Sequence, residues 1–217
     1  MKMPSNTTRK RPYVHFLFLL SWVLYFALYF MTERFIPAEN CYSVHIFLDD
    51  WIPFCEYFVI PYILWYFLLA ATVVYLLIRN IPGFCRFQTY IIITQILAFS
   101  AYILFPTRQD LRPTAFPYEN IWSKLVEQIY QADTNTGVCP SLHVAYSIAM
   151  ASAWRKEPVS RIWKGITQIM MALICLSTVF IKQHSALDFF MALPVCLIAE
   201  RIAYGRYKKS GTDSLIL

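Results

Sequence analysis

The sequence predicts an all-α integral membrane bundle of six transmembrane helices. Two observations predict it. Hydrophobic residues make up 58% of the 217-residue chain and charged residues 15%, against about 25% charge in an average soluble domain. Mean hydropathy is +0.47, and the apolar residues gather into six runs. A span needs about 20 apolar residues, so six fit with short loops. This composition excludes a disordered chain, a coiled coil and a soluble domain. The net charge of +6 and pI near 9.0 would suggest nucleic acid for a soluble protein; here the basic excess sets topology, and no nucleic-acid partner is expected.

The first run, 14–31, is too long for a signal-peptide apolar region and is followed by no small-residue cleavage site, so it reads as a retained span. The second covers 57–78 despite Pro61. A short turn with Pro82 and Gly83 is expected over 79–86, and the third span over 87–105. In the polar interval 106–140, Trp122, Leu125, Val126, Ile129 and Tyr130 recur at helical spacing. They predict a short amphipathic helix, either lying at the membrane interface or packed on the bundle as an ordinary loop helix. The fourth span, 141–154, is short and carries Ser147 and Ser152, as suits a helix buried among others. A basic turn over 155–164 leads to the fifth span, 166–181, and a tight break at 182–185 to the sixth, 186–204. No internal repeat appears, and one domain is the simplest count.

With the N-terminus inside, five of the nineteen Lys and Arg residues fall on the outer side: Arg34, Arg108, Arg112, Lys124 and Lys182. The remaining fourteen fall inside, among them Lys2, Arg9, Lys10 and Arg11. That asymmetry places both termini in the cytoplasm and supports an even number of spans. Cys41 and Cys55 fall outside, as a disulfide if that face is oxidising or as two free thiols. No CxxC or zinc-type spacing occurs.

The chemistry-bearing residues gather on the outer side. Arg108 and Arg112 follow the third span, Ser141 and His143 open the fourth, and Lys182, His184 and Asp188 lie at the last hairpin. On a helix, His184 and Asp188 at i and i+4 share one face. A carboxylate there fixes the imidazole tautomer and leaves the other ring nitrogen for attack. His143 is a second imidazole for acid–base work. Two guanidinium groups match phosphate oxygens, and the start of the fourth span offers N–H groups and the positive end of a helix dipole. The combination points to phosphoryl transfer. Each piece has a plainer reading. An interfacial histidine is ordinarily a hydrogen-bonded structural residue, and the arginines suit lipid headgroups. Asp188 is harder to explain away, because a carboxylate within a span is rarely idle. Two histidines and a carboxylate also make a metal triad, but adjacent arginines repel a cation, so neither metal nor cofactor is expected.

Pro140-Ser141-Leu142-His143 resembles the P-S-G-H motif of the type 2 phosphatidic acid phosphatase superfamily. Ser177 through Asp188 resembles its S-R-x5-H-x3-D motif, and Arg112-Pro113 the end of its K-x6-R-P motif. The resemblance covers 108–188; the N-terminal half matches only in being spans. It implies that His184 forms a phosphohistidine, Asp188 orients it, and His143 protonates the leaving oxygen and then activates water or an alcohol. Arg112 and Ser141 would hold phosphate. The pattern also departs from the family. Phe105 stands where the motif lysine would fall, Thr178 where an arginine would, and Leu142 in place of glycine. Arg108 and Lys182 are the candidate substitutes. Such relaxed motifs resemble the sphingomyelin synthase and inositol phosphorylceramide synthase branch, which passes a phosphorylated headgroup to another lipid. The resemblance therefore implies a membrane lipid phosphatase acting on a lipid phosphate or diphosphate, with a headgroup phosphotransferase or a non-catalytic lipid binder or transporter as alternatives. The partners would be a lipid phosphate and membrane lipids. The place would be the plasma (bacterial inner) membrane, with the active site on its outer face.

Overall fold

The computed structural model describes residues 14–209. Lys2, Arg9, Lys10 and Arg11, on which part of the topology argument rests, lie outside the described residues. The fold is helical. A 3-10 stretch, Val14–Leu19, leads into α1 (Leu20–Phe35). Then follow α2 (Phe47–Trp51), α3 (Val59–Arg79), α4 (Ile81–Leu104), α5 (Ile121–Ala132), α6 (Leu142–Lys156), α7 (Arg161–Phe180) and α8 (Ala186–Lys209). Among the described residues, four helical stretches are long and apolar enough to cross a membrane: His15–Phe35, Glu56–Arg79, Ile81–Leu104 and Arg161–Phe180. Large apolar side chains such as Val23, Phe67, Ile78, Ile103, Ile169 and Leu197 stand exposed on the helix exteriors. That is far more apolar surface than a water-soluble monomer shows.

The expected turn over 79–86 is absent. Asn80 alone separates α3 from α4, and its side-chain oxygen accepts the Gly83 N–H at 2.9 Å. Pro82 sits in the first turn, where its missing N–H leaves no helical bond unmade. The third apolar helix therefore begins at Ile81 rather than at 87. The Asn80 amide also donates to Glu157 at 2.7 Å, tying this corner to the end of α6.

Short helix α6 runs through the interior and packs on α3, α4, α7 and α8. Ala145, Ala149 and Ala153, four residues apart, are buried and let its neighbours approach closely. Ser147 returns its hydroxyl to the His143 carbonyl at 2.7 Å, so burial leaves it satisfied. By contrast, α1 buries no residue fully. It lies at the rim, with Trp22 and Tyr25 edge-on to Tyr146 and Phe99.

At one end of the bundle the connecting segments form a cover. β1 (Tyr42–Ser43) pairs in parallel with β2 (Thr107–Arg108). The amphipathic helix expected around Trp122–Tyr130 is α5. Asn120 caps it by accepting the N–H groups of Trp122 and Ser123. Its apolar side is packed on the bundle: Val126 is buried with Val59, Tyr62 and Ile181, and Trp122, Leu125 and Ile129 pack around them. Cys41 and Cys55 carry free thiols.

Candidate active site

The turn between α7 and α8 carries His184. Just past the end of α7, Lys182 has a φ of 54°, in the left-handed region that ordinarily favours glycine or asparagine. The Lys182 ammonium holds the turn by donating to the Asp49 and Ile52 carbonyls at 2.9 and 2.6 Å. Ser185 then leads into α8. Its hydroxyl accepts the Leu187 N–H, and Asp188 Oδ2 reaches back to accept the Ser185 N–H at 3.0 Å. This reciprocal arrangement is a helix capping box. Asp188 Oδ2 also meets His184 Nδ1 at 3.1 Å. The predicted His184–Asp188 pair is thus formed, but by a cap rather than along a helix face, since His184 precedes α8. Asp188 is fully buried and His184 nearly so.

Asp49 frames this turn from outside. Its carboxylate accepts the Ser185 hydroxyl at 2.6 Å, the Ala186 N–H at 2.7 Å and the Ile46 N–H at 2.9 Å. Sequence reasoning passed over Asp49, which lies 136 residues from Ser185 in the chain and belongs to no motif.

Ser141 caps α6 with its side-chain oxygen, which accepts the Val144 N–H at 3.3 Å. Its own N–H donates to the Asp188 carbonyl at 3.1 Å, joining the starts of α6 and α8. His143, in the first turn of α6, stacks against Tyr62 with ring centroids 4.8 Å apart and lies 4.3 Å from Trp65. Its Nε2 is enclosed without a protein hydrogen-bond partner. The rings of His143 and His184 are 5.7 Å apart and line the same cavity of about 510 Å³. Rings that close leave no room for a phosphate between them, so a phosphorus atom would approach both from the cavity side.

The cations are placed differently from the simplest expectation. Arg112 donates to the carbonyls of Tyr130, Asp133 and Thr134 and to Gln183 Oε1, at 2.8 to 3.0 Å. Its guanidinium lies over the Tyr130 ring at 4.5 Å. It organises the loop after α5 and reaches the turn beside His184 through Gln183. Arg108 pairs with Asp110 at 3.2 Å and donates to the Ala38 carbonyl. Lys182 is held at Asp49 and Ile52, as above. Burial lowers the pKa of both Arg112 and Lys182, with nearby Asp133 and Asp49 respectively acting against the shift. Among the described residues, no Lys or Arg lines the cavity.

The cavity wall holds a carboxylate that the sequence did not single out. Asp133 Oδ1 accepts the Tyr29 hydroxyl at 2.9 Å, and Oδ2 accepts Gln183 Nε2 at 3.0 Å and the Tyr62 hydroxyl at 3.4 Å. The rest of the wall is mostly aromatic, from Tyr25, Phe26, Phe30, Trp65, Tyr66 and Phe99. Such a mixture of apolar walls and a few convergent polar groups is typical of a small-molecule or lipid site. Among the described residues, no group of three or more metal-ligating side chains occurs.

No family model, curated protein or solved structure matches the chain.

Proposed function

We propose that the chain is an integral membrane enzyme that transfers the phosphoryl group of a lipid phosphoester through a phosphohistidine on His184. The observation that carries this reading is one cavity lined by both His143 and His184, with Asp188 on Nδ1 of the latter. In this account α6 and α8 join the four long apolar helices as spans. The site faces outward and both termini are cytoplasmic, in the plasma (bacterial inner) membrane. The motifs shared with the type 2 phosphatidic acid phosphatases support the same chemistry.

Asp188 keeps the proton on Nδ1, so Nε2 of His184 attacks phosphorus. The N–P bond forms and the P–O bond to the leaving group breaks. The leaving oxygen takes a proton from His143, whose imidazolium form is favoured by the charge of the bound anionic phosphate. In the second half, neutral His143 takes a proton from the incoming hydroxyl. Its oxygen bonds to phosphorus and the N–P bond breaks, restoring both side chains. With water as acceptor the enzyme is a lipid phosphatase. With a lipid alcohol it is a headgroup phosphotransferase, and a specific observation favours that second reading. A doubly charged phosphomonoester, or a diphosphate, calls for permanent cations, whereas among the described residues no Lys or Arg lines the cavity. A phosphodiester donor carries one phosphate charge and asks for less.

The test uses purified protein in lipid-containing micelles, given phosphatidic acid, a polyprenyl diphosphate or a phosphodiester lipid, with and without a ceramide or diacylglycerol acceptor. Free phosphate and new lipid products are followed together. His184→Ala should abolish both while leaving thermal unfolding near wild type. Turnover retained in that variant would sink the mechanism.

A further inference from the structure

Helix α2 presents two unlike faces. Asp49 points inward, 4% exposed, and accepts the Ser185 hydroxyl and the Ala186 N–H. Phe47 and Trp51, four residues apart, share the opposite face. They stand 69% and 81% exposed, and neither ring joins the hydrophobic clusters of the bundle. A helix of five residues does not hold its shape by itself. Polar bonds fix its inner side, and two large aromatic rings are left on its outer side with nothing of the fold to cover them.

The bonds that hold α2 also set its level along the bundle. Lys182, just past α7, donates to the Asp49 and Ile52 carbonyls. Ala186, the first residue of α8, donates to the Asp49 carboxylate. The Cys55 N–H donates at 3.0 Å to the carbonyl of Phe180, the last residue of α7. Glu56 then opens the apolar stretch of α3. Thus α2 lies level with the ends of two helices long and apolar enough to cross a membrane. For such helices that level is the boundary between hydrocarbon and water. Tryptophan favours this boundary, because its ring is apolar and its indole N–H seeks a polar partner. Tyr57 and Ile60, next along the chain and also exposed, lead from the same level onto the exterior of α3. The charged groups beside the aromatic face, His45 and Asp50, are exposed and paired with each other at 2.8 Å, which suits a zwitterionic headgroup layer. We propose that α2 docks into the interfacial layer of the lipid bilayer through Phe47 and Trp51. The bilayer then braces the outer face of the helix whose inner face holds the His184 turn. This inference rests on the membrane-spanning reading and is independent of the chemistry at His184.

The experiment locates Trp51 by fluorescence. Wild-type protein and Trp51→Phe, which keeps a ring at the position, are reconstituted into phosphatidylcholine nanodiscs. The difference between their emission spectra isolates Trp51 from the other five tryptophans. Its emission should be shifted to the blue of the denatured chain. Most of it should be lost in discs whose lipid is brominated near the carbonyl end of the acyl chain, and far less to aqueous iodide. Emission like that of the denatured chain, quenched by iodide and untouched by brominated lipid, would place α2 in water and overturn the proposal. Blue-shifted emission that neither quencher reaches would overturn it too, because another protein surface would then cover the helix. Phe47→Trp in the Trp51→Phe background puts an emitter one turn away on the same face and must repeat the lipid quenching. The five other tryptophans test the membrane-spanning reading separately, with Trp22 in α1 expected to respond to lipid brominated deep in the chain. If none of the five responds, that reading fails; if they respond and Trp51 does not, the docking of α2 alone fails.

Discussion

Replacing Asp49 with alanine removes the frame around the nucleophile without touching the cavity. The variant loses the acceptor for the Ser185 hydroxyl at 2.6 Å, the Ala186 N–H at 2.7 Å and the Ile46 N–H at 2.9 Å. Asp49 is 4% exposed and Ser185 fully buried, so water does not readily take its place. One hydrogen bond to a charged acceptor contributes about 1.5–3 kcal/mol. The three share two oxygens and are not additive, so the expected loss is about 3–5 kcal/mol. That is a large part of the roughly 5–15 kcal/mol that holds a domain folded. The turn that loses its tether is the one that aims His184, and a shift of about 1 Å in a reacting group can reduce rate by about 10²-fold. The assay is thermal unfolding in micelles beside kcat and KM for turnover. Asp49→Ala should lower Tm and cut kcat by about 10²-fold, with KM far less affected. Asp49→Asn keeps one carbonyl for the Ala186 N–H and lets the Ser185 hydroxyl rotate to accept from the new amide, so it should lose only about 1–2 kcal/mol. Wild-type Tm and kcat in Asp49→Ala would refute the idea that this carboxylate frames the site.

Further outcomes follow from the same geometry. Lys182→Met removes two bonds to backbone carbonyls and should lower Tm while leaving KM unchanged; a Lys182 that bound phosphate would instead raise KM. Arg112→Lys cannot serve three carbonyls and Gln183 at once, and should destabilise the protein by about 2 kcal/mol, read by chemical or thermal unfolding. Asp188→Asn leaves the shape intact but no longer fixes the proton on Nδ1 of His184, and kcat should fall by about 10²-fold or more. Burial, with Asp188 beside it, pushes the Cys139 thiol up to about 12. Thiolate is therefore scarce at neutral pH, and Cys139 should react with maleimide far more slowly than an exposed thiol; brisk labelling at pH 7 would contradict its placement.

Local patterns in the sequence carried over well. The spacing of Trp122 to Tyr130 marks α5 because a 3.6-residue period repeats over three turns. The four-residue interval from His184 to Asp188 keeps the pair together even in a capping box, because both geometries bring these side chains to one place. The start of α4 was misread because proline and glycine punctuate turns and also suit the first turn of a helix; only the Asn80 cap distinguishes the cases. The directions of charged side chains were not legible. Arg108, Arg112 and Lys182 lie near the motifs in the chain, yet backbone carbonyls and Asp110 capture them, and a sequence does not show where carbonyls point. Asp49 and Asp133 were missed for the opposite reason. Their partners Ser185 and Gln183 lie 136 and 50 residues away, and nothing in their local sequence marks a carboxylate destined for the turn or the cavity.

The central claim is that His184 carries phosphorus during turnover. Wild-type protein is mixed briefly with phosphatidic acid or a phosphodiester lipid, quenched in alkali, where an N–P bond survives, digested and mapped by mass spectrometry. The account predicts a phosphoryl or phosphorylated-headgroup adduct on His184, absent from His184→Ala and formed more slowly in His143→Ala, which lacks the acid for the leaving oxygen. Turnover without an adduct on His184, or an adduct on another side chain, would contradict it.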